Sequence, residues 1–429
     1  MLARVVVGAL LAAAAAKAEG ASKKLTVDEM VKSAIEASPD VAAARARRDA
    51  AQAGADAVRG RMLPAVRLTD EQQHYDSPFV IQFGPGPGLT ARNINTNTFV
   101  AAAGQPLVGL LHLSQDHAAA SSTADGAAAQ ERALESGVRE GVQAQLLRLF
   151  QARALADVAR ASEQQIQEQI DVTKARLAAG AGTNADVLRI QVAQANARQQ
   201  EIQAEAQATI ARASLLTALG VPVDDTTVDF EEPTALLTDA RPLPVFAAGR
   251  DLALGHRPEL AATRLAADAA DHTGKARLYD LLPEVSLEAA YVHIHGQLLA
   301  PADEGYVGLK VDWPIWSWGA SWYAKEAAAS QAEAAAHQAE GTRRQVLLDV
   351  QSRLSQAGAA ADAVAVAQAT IASAEEAYRV TQALVKAGSG TTTDLLDAEA
   401  ALTQAKLNLT RARYDQAIAR VALDRATGG

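Results

Sequence analysis

The 429-residue chain contains no cysteine. That absence excludes a disulfide framework, a thiolate metal site, a cysteine nucleophile and a lipid anchor attached through cysteine. Aromatic residues are also scarce, 4% against 49% hydrophobic overall, because alanine supplies much of the apolar count. Alanine offers little area to bury but favours helix, so the composition predicts long, closely packed helices rather than a thick globular core. Basic side chains are the minority: 40 Lys and Arg against 50 Asp and Glu leave a net charge of −10. Without the basic clusters that phosphate contact requires, no nucleic-acid partner is expected. No run of about 20 apolar residues follows the N-terminal segment, so the sequence predicts no transmembrane helix.

Catalytic signatures are missing as well. There is no G-x-S-x-G, Walker loop, H-E-x-x-H or dinucleotide fingerprint, and the carboxylates are scattered along helical segments where charge marks a solvated face. The chain is therefore expected to be no enzyme and to hold no cofactor. His293 and His295 stand two apart on a strand and so share a face, a spacing that can chelate a metal. No third ligand is evident nearby, and no metal is expected.

What is present begins with an address. Met1 to Arg4 is a short basic region, Val5 to Ala16 is apolar, and Ala16-Lys17-Ala18 forms an A-x-A cleavage pattern. Twelve apolar residues are too few to span a bilayer, so residues 1–18 read as a secretory signal peptide.

The remainder is an internal duplication. Pro39, Pro64 and Val66 match Pro258, Pro283 and Val285 at an offset of 219. Further on, Pro106, Gly180, Asp186 and Gly220 match Pro314, Gly388, Asp394 and Gly428 at an offset of 208. Eleven residues are therefore extra in the first copy between Pro64 and Pro106, and from proline to glycine both copies run 74 residues without a gap. A length held that strictly suggests two helices that must reach the same plane. The expected organisation is a first repeat over 19–220, an acidic linker with four prolines over 221–245, and a second repeat over 246–429.

Each repeat reads as helix, strand, hairpin loop, strand, very long helix, turn and long helix. The first helix spans 39–62 and stops before Pro64. Strands are expected over 285–295 and 306–313, where Val307, Leu309, Val311 and Trp313 alternate with Tyr306, Gly308, Lys310 and Asp312. About ten residues is the length that a tilted membrane strand needs. The matching strand of the first copy, Val66 to Tyr75, is far more polar, and a turn-rich tip follows at 77–93. Proline-free long helices are expected over 115–178 and 323–386, each about 95 Å of helix. Leu395, Leu402 and Leu409 then step by seven, as in a coiled coil.

The strand exits Gln105-Pro106-Leu107-Val108-Gly109 and Trp313-Pro314-Ile315-Trp316-Ser317-Trp318-Gly319, with the paired turns at 179–188 and 387–397, resemble the TolC-like outer-membrane efflux proteins. The likeness covers nearly the whole chain after residue 18. It implies a mainly α-helical fold with a small transmembrane β part: a long helical barrel plus a twelve-stranded β-barrel shared by a homotrimer, four strands per protomer. It also implies a passive exit duct of a tripartite efflux or type I secretion system, in the outer membrane and reaching into the periplasm. The partners implied are outer-membrane lipid, a periplasmic adaptor and an inner-membrane pump. The alternative class is a secreted coiled-coil scaffold or adaptor without a pore. An adaptor would carry one helical hairpin between compact β domains, whereas two hairpins and two strand pairs are present.

Three groups of site residues follow. The turns at Gly180, Gly182, Gly388 and Gly390 end one helix and start the next, and Thr183-x-x-Asp186 and Thr391-x-x-Asp394 read as capping boxes with Asp in the usual Glu position. The resemblance makes these turns the adaptor-docking tips. Asp394 and Asp397 share one helix face, and the resemblance places them at the periplasmic entrance as an acidic ring favouring cations. Arg189 occupies the position equivalent to Asp397 in the first copy and is a candidate partner for an acid in the closed state. Trp313, Trp316, Trp318 and Trp322 cluster where the last strand meets a long helix, as an aromatic girdle at the membrane interface or as packing between protomers.

Overall fold

A computed structural model describes residues 24–180 and 182–429. The expected signal peptide at 1–18 lies outside the described residues. The chain order is β1 (Lys24–Leu25), α1 (Val27–Ala37), α2 (Pro39–Arg61), β2 (Ala65–His74), β3 (Phe79–Ile81), β4 (Leu89–Pro106), α3 (Gly109–Ala178), α4 (Asn184–Ala218), β5 (Asp229–Phe230), α5 (Thr234–Leu237), α6 (Phe246–His256), α7 (Pro258–Tyr279), β6 (Glu284–Gln297), β7 (Asp303–Asp312), α8 (Ala320–Lys386) and α9 (Thr392–Thr427). The two very long helices have 70 and 67 residues. Two compact units divide the chain, and each draws segments from both halves of the sequence.

One unit comprises Ala43–Arg132 and Pro258–Arg344. Its centre is an antiparallel sheet in the order β2-β4-β6-β7, with β3 paired onto β4. The hairpin of the second copy has its tip at 298–302, close to expectation. The first copy differs. The segment 77–93 is not a plain loop, because Phe79, Val80 and Ile81 pair back onto Arg92, Thr90 and Leu89 and so extend β4 to 18 residues. The extra residues of this copy thus build a strand pair of their own at the tip.

The other unit comprises residues 24–42, Ala133–Arg257 and Gln345–Gly429. Its main core gathers Met30, Val31 and Ala34 of α1, Val142, Leu146 and Leu149 of α3, Leu215, Leu216 and Leu219 at the end of α4, and Phe230. Phe230 belongs to the segment 221–245, which therefore packs as well as connects: β5 lies parallel to β1, and Leu236 and Leu237 of α5 cover Leu147, Tyr414 and Val421. Arg241 fixes the end of this segment to α9, donating to Asp239 at 2.7 Å and to Asp424 at 2.8 Å. Asp239 is held down at about 2, first by the Arg241 hydrogen bonds and then by the charges of Arg241 and Arg420.

Contrary to the sequence expectation, α8 is long and apolar enough to cross a membrane, by length and composition alone. Its apolar stretch is dominated by alanine, the residue through which helices approach one another closely. Leu395, Leu402 and Leu409 of α9 are all buried, as their seven-residue step requires.

Candidate functional site

Register across the sheet sorts its side chains onto two faces. Val66, Ala103, Ala289 and Val307 form one row across the four main strands, and Leu68, Ala101, Tyr291 and Gly305 form the next. Leu287 pairs with Leu309 and Val285 with Val311 on the same face. This apolar face is open: Val66 and Val307 are each 75% exposed. Of the β2 residues on this face, Val66 and Leu68 are apolar, whereas Asp70, Gln72 and His74, nearer the loops, are polar. The opposite face carries Arg67, Thr69, Ser286, Glu288 and Lys310, with Lys310 and Glu288 3.9 Å apart.

Toward the loops the apolar face turns polar. His293 Nδ1 lies 2.9 Å from Asp303 Oδ1, which also accepts from the Tyr291 hydroxyl, while His295 lies opposite Asn97. The two histidines are thus committed to different neighbours, and no cluster of three metal-ligating side chains occurs among the described residues.

At the other end of the sheet the four tryptophans are largely exposed, Trp318 the most at 85%. Trp316 and Trp318 stack edge to face with centroids 5.6 Å apart, and Lys325 Nζ sits 4.8 Å from the Trp322 ring centroid. Trp318 adopts a φ of +54°, a left-handed conformation that a bulky side chain takes only under local constraint.

The two helical turns repeat each other in detail. Gly180 and Gly388 end α3 and α8 at φ +75° and +78°, where a side chain would be strained. Thr183 Oγ1 donates to Asp186 Oδ2 at 2.6 Å and the Asp186 amide returns to Thr183 Oγ1 at 3.2 Å; the same bonds at Thr391 and Asp394 measure 2.6 and 3.1 Å. Both capping boxes are complete. Hydrogen bonds from Thr183 and from Thr391 hold the Asp186 and Asp394 carboxyls below the ordinary carboxylate range. Gly182 and Gly390 follow the turns. A Cβ on Gly390 would lie 3.0 Å from the Val385 amide nitrogen and 3.2 Å from the Leu384 carbonyl carbon, so a side chain there requires the turn to shift by a few tenths of an ångström.

Asp397 lies one turn beyond Asp394, exposed, and makes no hydrogen bond or ion pair among the described residues. Arg189 makes no ion pair among them either. Its Nη1 donates to Thr393 Oγ1 of the second turn at 3.0 Å, which joins the two hairpins. Below the turns, Ile166, Ile170 and Ile190 pack with Leu396, and Ser162 and Thr403 are hydrogen-bonded at 3.1 Å. Glu399 is the residue that sequence reasoning missed. It sits between Leu395 and Leu402 on the buried side of α9, so the heptad itself carried the signal.

Comparison with known proteins matches this architecture. The chain is 28% identical over 269 residues to the alkaline protease secretion protein AprF of Pseudomonas aeruginosa, covering 60% of this chain and 54% of that one. It is 24% identical over 389 residues to the proteases secretion protein PrtF of Dickeya chrysanthemi, covering 87% and 81%. The outer membrane efflux protein BepC of Brucella suis is 27% identical, over 65% of this chain and 60% of its own. The matches to AprF and BepC thus span little more than half of those proteins. Among solved structures, the outer-membrane channel OprN superposes with a TM-score of 0.80 at 21% identity, covering 94% of this chain and 90% of that one. VceC of Vibrio cholerae gives 0.80 at 19% identity, covering 94% and 96%. The sequence profile of the outer membrane efflux proteins matches residues 30–221 and 249–429, and the chain belongs to the outer membrane efflux protein family.

Proposed function

We propose that this protein is the passive exit duct of an efflux or type I secretion system, seated in the outer membrane and reaching into the periplasm. One observation carries the reading: a sheet of four main strands whose half nearer the helices presents an apolar face, exposed in the single chain, and two main strands, β2 and β7, with open edges. Such edges are untenable in lipid, where every backbone amide needs a partner, so copies of the chain must close the sheet. Three copies with four main strands each give a barrel of twelve, the number that the family resemblance implies. Trp313, Trp316, Trp318 and Trp322 then lie at the periplasmic membrane interface. Val66, Leu68, Val307 and Leu309 face lipid, while Arg67, Glu288 and Lys310 face the lumen.

The hairpin turns at Gly180–Thr183 and Gly388–Thr391 form the periplasmic mouth and dock on an adaptor that joins the duct to an inner-membrane pump. Asp397, free of other bonds, supplies the charge of an acidic ring at that mouth, with Asp394 behind it as both cap and charge. Arg189, through Thr393, ties the first hairpin to the second and favours the closed mouth. Energy for transport comes from the pump. The test is fractionation followed by an unheated gel and planar-bilayer recording: an outer-membrane oligomer with ion conductance is expected, and a soluble, non-conducting protein would sink the reading.

A further inference from the structure

Glu399 is the most deeply buried carboxyl of the second hairpin. The residue is 2% exposed, and neither carboxyl oxygen has a hydrogen-bond partner. Leu395 and Leu402 flank it one turn away on each side, both buried. One turn toward the tip, Leu396 packs on the isoleucine cluster of α3 and α4, and one turn the other way Thr403 bonds to Ser162 of α3. This burial exists within one chain, so assembly can only deepen it. The first copy has no counterpart, since the equivalent residue at offset 208 is Gln191, which is exposed.

An ionised carboxylate in this place would lack both solvent and a hydrogen-bond donor, which is costly unless the group takes up a proton or the helix moves. Lys406 of α9 itself opposes the effect of burial on this carboxyl. Burial therefore outweighs Lys406 and raises the carboxyl to about 7. Residues 133–218 and 345–427 contain no histidine and no cysteine, so no other ordinary near-neutral titrating group competes in these hairpins.

We propose that Glu399 is a proton switch that locks the second hairpin against the first in acid and releases it when it ionises. The inference rests on the reading of these hairpins as the periplasmic mouth. The sign follows from linkage. The packed hairpin binds the proton more tightly than a solvated one, so packing is strongest below the ordinary glutamate value of 4.5, weakens as pH rises toward about 7, and is constant above it. Between those limits the packed-to-released ratio falls on the order of 100-fold, as a displaced carboxyl value of this size requires.

Because the chain has no native cysteine, spin labels can be placed at Asn184→Cys and Ser389→Cys alone, one on each turn. Inter-label distances in the assembled protein, measured between pH 4.5 and 8, should lengthen with rising pH in the otherwise unaltered chain. They should stay short throughout in Glu399→Gln and in Glu399→Leu, the second variant controlling for an unsatisfied amide. Distances that do not change with pH, or that change equally in both variants, would overturn the switch. Conductance recorded in parallel separates the two claims: a pH-dependent distance with pH-independent conductance keeps the switch and removes the mouth.

Discussion

Arg189 of the first hairpin donates a 3.0 Å hydrogen bond to the hydroxyl of Thr393 in the second, and this contact joins the two turns directly. It pairs a cation with a neutral acceptor at an exposed position, so it is a weak latch. Losing it in Arg189→Ala is expected to cost about 1 kcal/mol or less per protomer. Open probability in planar bilayers should rise several-fold, and Thr393→Val should reproduce the effect. An unchanged open probability in both variants would show that the bond does not hold the mouth.

The acidic ring separates into two roles. Asp397→Ala removes a free charge and should lower cation selectivity, read as a reversal potential across a salt gradient, without lowering thermal stability. Asp394→Ala also removes the N3 half of the capping box and should lower the hairpin's thermal stability. Because Thr391 holds the Asp394 carboxyl below its ordinary value of 3.8, this capping contribution is present above that value and disappears as pH falls below it. Equal selectivity in Asp397→Ala and the parent would remove Asp397 from the acidic ring.

Gly390 stands where a Cβ would crowd the end of α8. In Gly390→Lys the Cβ would meet backbone atoms at 3.0–3.2 Å. The variant is expected to lose about 1–3 kcal/mol of hairpin stability, as overpacking does. Protease nicking at the tip should rise, whereas a tip as resistant as the parent's would contradict the close approach.

The Asp239–Arg241–Asp424 clamp makes a prediction about acid. The Asp239 carboxyl falls from 3.8 to about 2 on folding, so the clamp contributes fully above 3.8 and is lost as pH falls through about 2. With Arg241 largely in solvent, about 1 kcal/mol remains after screening. Asp239→Asn should lower the melting temperature at pH 7 and converge with the parent near pH 2. Identical melting at pH 7 would remove the clamp from the account.

Much of this was legible in the sequence because the signals were local or duplicated. Thr183-x-x-Asp186 and Thr391-x-x-Asp394 announced the turns, since a capping box closes within four residues. Val307, Leu309 and Val311 announced a one-sided strand through their alternation. Features that depend on distant partners were hidden. Of the β2 residues on the sheet's apolar side only Val66 and Leu68 are themselves apolar, and two residues make no visible pattern until Ala103 and Ala101 stand opposite them. The glycines and prolines of 83–88 concealed the pairing of Phe79–Ile81. Phe230 looked like part of a linker because its core partners lie in α1, α3 and α4. Glu399 interrupted an apolar seam, a local signal that was overlooked because Leu395, Leu402 and Leu409 already satisfied the heptad.

The most direct measurement of the central claim asks whether copies of this chain close the sheet within a membrane. The purified outer-membrane fraction in detergent, analysed by native mass spectrometry, should contain a complex of three chains. Val307→Arg, on the apolar face, should abolish that complex, as a charge near mid-bilayer on a barrel costs about 2–4 kcal/mol per chain, whereas Gly308→Ser on the opposite face should leave it intact. A single chain recovered from the soluble fraction, or a three-chain complex unaffected by Val307→Arg, would contradict the account.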